Sequence, residues 1–172
     1  MTMRRLFVLF IIILVNFALQ SALFPFFAIM EVIPDTALVL IISYAILRGD
    51  IEGALFGIAV GFVQDISGGA VIGVFALLGF LTGYICGKPF SSFFKDNYFL
   101  PFFVVLFVCF VYQTVLYAAT LLLFRQLDFS FYLRSIILPK TIYTASLAVP
   151  LYACFYYLNS KLEAREEPKD EL

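Results

Sequence analysis

Residues 49–87 read GDIEGALFGIAVGFVQDISGGAVIGVFALLGFLTGYICG, and all 10 glycines of the chain lie within them. Gly53, Gly57 and Gly61 recur at a spacing of four, and so do Gly79, Gly83 and Gly87. Residues four apart stand on nearly one face of a helix, so each run is a smooth stripe on which another backbone can lie. Inside a helix in water, a glycine costs about 1 kcal/mol relative to alanine. The stripes therefore point to a setting in which close packing is the main force between helices, and a lipid bilayer is that setting. Packing of two helices within one chain is the favoured reading, with homodimerisation through the same stripes as the alternative.

Working outward, the whole composition agrees. The 172 residues are 63% hydrophobic and 13% charged, against about a quarter charged in a soluble domain, and the mean hydropathy is +1.04. An all-α integral membrane protein is expected. At about 20 residues per span, the length allows one compact bundle and leaves little for a soluble domain. There is no histidine, which removes the commonest general base and the commonest transition-metal ligand, so neither catalysis nor a cofactor is expected. Cys86, Cys109 and Cys154 fall in apolar segments without CxxC spacing and read as packing residues. No basic patch is present to bind nucleic acid.

Six membrane-spanning segments are expected, at about 6–27, 35–47, 51–66, 71–87, 99–124 and 135–158. They form a single six-helix domain over residues 1–160, followed by a charged tail at 161–172. Arg4 and Arg5 before an apolar run, with Ala18 to Ala22 near its end, resemble a signal peptide, but the run continues past that point and a retained span is expected. Pro34 and Asp35 open the second segment, proline suiting a first turn. Arg48 to Glu52 makes a charged turn, and Ser67 to Ala70 a second one. Segments two to four are short, so they are expected to be thinned over, little tilted or partly re-entrant. In the next connector, Phe90, Phe93, Phe94 and Tyr98 suit the headgroup level.

Arg4, Arg5, Arg48, Lys88, Lys95, Lys161, Arg165 and Lys169 fall on one side of such a bundle, and Arg125 and Arg134 on the other; with Lys140 inside a helix, these are all 11 lysines and arginines. The positive-inside rule then expects both termini in the cytoplasm. The chain ends Lys169, Asp170, Glu171, Leu172, an endoplasmic-reticulum retention address. That address is read on the lumenal face, so here it is taken as part of a solvated tail.

Asp65 and Lys140 lie at similar depths, and an ionisable group in hydrocarbon costs at least about 2.5 kcal/mol, so it turns inward and finds a partner. Asp65 and Lys140 are expected to pair, or to share a small polar cluster with Gln64, with a structural role ahead of an ion or substrate site. Asn16, Gln20, Gln113 and Thr114 are expected to make interhelical hydrogen bonds.

The chain resembles the bacterial rod shape-determining protein MreD family. The resemblance rests on Pro34 and Asp35 opening an apolar helix, on the glycine stripe after Arg48, and above all on Gln64, Asp65, Ile66, Ser67, Gly68, Gly69 and then Gly73. It implies a non-enzymatic subunit of the machinery that builds the lateral wall of rod-shaped bacteria. The implied partners are MreC, a single-span protein with a large periplasmic part, and through it MreB filaments and the wall-synthesising polymerase and transpeptidase. The family also looks like the substrate-binding subunits of energy-coupling-factor vitamin transporters in fold. A vitamin-binding transporter subunit is thus the rival expectation.

Overall fold

The computed structural model describes residues 3–28, 32–68, 73–90, 100–124 and 129–166. Residues 1–2, 29–31 with Glu31, 69–72 with Gly69, 91–99 with Lys95, 125–128 and 167–172 lie outside the described residues. The described chain is helical: α1 (Met3–Ala22), α2 (Thr36–Arg48), α3 (Asp50–Gly68), α4 (Val74–Phe90), α5 (Leu100–Phe124), α6 (Phe129–Tyr132) and α7 (Leu138–Glu166). A 3-10 turn, Phe24–Phe27, follows α1, and a π-helical turn, Leu133–Ile137, runs α6 into α7.

The core is built around α2. Every residue from Thr36 to Leu47 is buried, and α1, α3, α4, α5 and α7 all pack against it. Such all-round burial requires a helix that is apolar on every face, and the run Ala37 to Ile42 is one. Asp35 starts it: the side chain accepts from the Leu38 amide and satisfies a donor that has no partner inside the helix. Gly49 stops it, at φ 95°, with its N–H on the Ala45 carbonyl; this left-handed conformation favours glycine over any residue with a Cβ. The Tyr44 ring from α2 lies 4.6 Å from that of Phe56 from α3, tilted by 39°, and both meet Phe155 from α7.

α3 and α4 run antiparallel in direct backbone contact. A Cβ at Gly57 would fall on the Gly79 carbonyl, one at Gly83 on the Gly53 carbonyl, and one at Gly61 on Phe75. At the far end of the same seam, Gly87 lies against Gly49 and Asp50. The two stripes are thus used against each other along their whole length.

Arg5–Phe26, Phe102–Ala119 and Ser130–Lys161 are long and apolar enough to cross a membrane, while Thr36–Arg48 and Val74–Lys88 are apolar but shorter. With 13 residues, α2 is about 20 Å long, against about 30 Å of hydrocarbon. The π turn precedes Pro139, which has no N–H to donate and would crowd the Ser135 carbonyl in a regular helix. Widening that turn, with the Leu138 amide reaching back to Leu133, lets the rod continue without a break.

Candidate functional site

Polar side chains gather at the two ends of α2. At its start, Asp35 is a buried node on which two other helices, α3 and α7, converge. Oδ1 accepts from the Leu38 amide at 3.1 Å and from Gln64 Nε2 at 3.5 Å. Oδ2 faces Lys140 Nζ at 3.9 Å, and the Asp35 N–H donates to Thr144 Oγ1 at 3.0 Å. The carboxylate is 4% exposed and the lysine 24%. Lys140 thus reaches the node from a more exposed flank and balances a charge that would be costly alone.

The expected partnership of Lys140 with Asp65 gives way to this one. Both Asp65 oxygens are taken by backbone: Oδ1 accepts from the Phe75 amide at 3.1 Å and Oδ2 from Ala76 at 2.9 Å. These are first-turn donors of α4, which Gly73, at φ 99° and without a side chain, cannot satisfy. Asp65 therefore caps a neighbouring helix, 3% exposed, while Gln64, one residue earlier, turns to Asp35. The Pro34, Asp35, Thr36 run carried the missing signal, since an aspartate just before an apolar helix is a capping residue and must sit at the helix end.

At the other end of α2, Arg5 Nη2 donates to Asn159 Oδ1 at 2.9 Å, with both residues buried, and the guanidinium lies 5.9 Å from the Tyr44 ring centroid. The Tyr44 hydroxyl donates to Glu52 Oε2 at 3.1 Å, and Arg48 Nε stands 3.9 Å from the same oxygen. The charged turn at Arg48 to Glu52 is thus partly inside the protein and clasps α2, α3 and, through Arg5, α1 and α7.

The polar side chains at depth divide. Gln20 accepts from Thr36 at 3.5 Å between helices. Thr114 instead donates to the Phe110 carbonyl of its own helix at 2.8 Å. The Gln113 amide nitrogen and the Thr141 and Ser43 hydroxyls are buried without a hydrogen-bond partner among the described residues.

Among the described residues no three metal-ligating side chains come together, and Cys86 and Cys109 are buried as free thiols. Two grooves open on the outer surface. One of about 590 Å³ lies between α1 and α3, and one of about 300 Å³ between α4 and α5, both walled by apolar side chains.

These features define a helical membrane protein whose buried charges are committed to helix ends and to one another. The family model described as rod shape-determining protein MreD matches residues 2–162, and the chain belongs to that family. Its role accordingly lies in determining rod shape. No curated protein and no solved structure matches the chain.

Proposed function

We propose that the protein is a non-enzymatic scaffold of the cell-elongation complex, a multi-pass protein of the bacterial inner membrane that binds an MreC-like single-span protein. Through that partner it organises MreB filaments inside and the wall-synthesising polymerase and transpeptidase outside. The observation that carries this reading is the family match over residues 2–162. It is supported by the way Asp35, Asp65, Lys140 and Arg5 are spent on caps and pairs, which leaves these groups to hold helices together. A six-span body with both termini in the cytoplasm is part of the proposal, and it rests on the distribution of lysine and arginine.

Crosslinking in native membranes, followed by purification of the tagged protein and mass spectrometry, tests it. The expected result is recovery of a single-span protein with a periplasmic coiled coil, together with wall-synthesis enzymes. Recovery of paired ATPases with a membrane coupling subunit would overturn it in favour of vitamin transport.

A further inference from the structure

α1, α3 and α7 are joined to the start of α2 by direct polar contacts, through Gln20, Gln64, Lys140 and Thr144. α5 packs on both α2 and α7 but adds no such contact among the described residues. Its polar groups at that end lie in the seam with α7. Two contacts set the register of the seam: the Cys109 thiol lies beside Thr141 and Thr144, and the Tyr117 ring lies 4.7 Å from that of Tyr132. Gln113, midway between 109 and 117 on the same face of α5, therefore falls opposite the stretch that ends at Thr141.

Gln113 and Thr141 are 2% and 3% exposed. Gln113 Nε2 and Thr141 Oγ1 make no hydrogen bond among the described residues, and the thiol beside Thr141 is only a weak partner. Two such groups in one seam are costly in hydrocarbon. The amide donates and the hydroxyl donates or accepts, so one guest able to do both satisfies the two together. Charge around them is balanced, since Lys140 Nζ, from the residue next to Thr141, faces Asp35 Oδ2 at 3.9 Å. A cation would meet the ammonium and an anion the carboxylate, which favours a neutral guest. The seam is also closed, with Val105, Cys109, Ile137 and Ala145 each 0% exposed, and this excludes a ligand much larger than water. We propose that an ordered water molecule is bound between α5 and α7, accepting from Gln113 and bonding Thr141. It ties α5 into the polar cluster at the start of α2, and the assignment is independent of the scaffold reading.

The test is X-ray radiolytic footprinting of the purified full chain in detergent, read by mass spectrometry. A brief pulse makes hydroxyl radicals from bound water in place, and a thiol beside that water is oxidised however deeply it is buried. Cys109 is expected to be oxidised. Cys86, equally buried and with no charged or hydrogen-bonding neighbour, is expected to stay reduced. The Cys109 signal should be lost in the double variant Q113L/T141V. In thermal unfolding, Q113L and T141V should each lower Tm by about 2–4 °C, the shift one hydrogen bond makes in a chain of this size, and the double variant should be no worse than either alone. Protection of Cys109 in the wild-type chain, or oxidation of both thiols alike, overturns the proposal; protection is what a direct bond from Gln113 to Thr141 would give. Oxidation of Cys109 that persists in the double variant also overturns it. So does a Tm raised by either single substitution, the sign of a polar group buried with no guest at all.

Discussion

Two acids stand at the same end of the bundle, and Lys140 meets the one whose carboxylate is not turned onto the first amides of α4. Asp65 spends both oxygens on the amides of Phe75 and Ala76, whereas Asp35 caps with Oδ1 and leaves Oδ2 to the lysine. K140M should cost about 1–3 kcal/mol, the penalty of leaving a buried carboxylate with its hydrogen bonds but without its counter-charge. D35N keeps a carbonyl oxygen for the Leu38 amide, so the double variant should regain part of that loss in thermal unfolding in detergent. Rescue of K140M by D65N and not by D35N would show that the pair is the other one. Sequence spacing placed a lysine and an acid at one depth, but depth cannot distinguish two acids. What separates them is which one faces a helix start lacking its own cap, and that depends on Gly73, whose role becomes visible only once α4 is seated.

Among the elements, α3 and α4 form a pair in which spacing alone was informative. Glycines four apart on two neighbouring helices announce a backbone-to-backbone distance, and that distance is short enough here that a Cβ at Gly57 meets carbonyl atoms. G57A should therefore destabilise by about 1–3 kcal/mol despite the better helix propensity of alanine, because backbone cannot step aside as a side chain tip can. G73A meets nothing within 4 Å, and its cost comes only from φ 99°. Comparing melting temperatures of the two variants, with a third, G57S, as a larger intruder, separates crowding from backbone strain. Steric clash predicts that G57S is worse than G57A. The π turn before α7 was not legible, since Pro139 announces trouble for a helix without saying whether the chain breaks, kinks or widens.

For the molecule as a whole, composition was enough for the helical membrane class, and the family showed in Pro34 and Asp35, the glycine stripe after Arg48 and the run from Gln64 to Gly73 taken together, its model matching residues 2–162. The clasp of Arg5 on Asn159 joins residues 154 apart and left no local pattern to read. Orientation is open to direct measurement: a fluorescent protein fused after residue 172 should fluoresce, and alkaline phosphatase at the same place should stay inactive, if both termini are cytoplasmic. The reverse pattern would invert the bundle. The cap that Asp65 places on α4 has a further consequence, for biosynthesis. Alone, α3 carries Asp50 and Glu52 in its first turn and Asp65 in its last, within 19 residues, and both oxygens of Asp65 are met only by amides of α4. Once α4 has emerged from the ribosome, its first amides can quench Asp65 and its glycines can close on those of α3. The two helices are then expected to leave the translocon together as a hairpin. Nascent chains truncated after residue 72 should integrate poorly in an insertion assay, and those extended through residue 90 should integrate well.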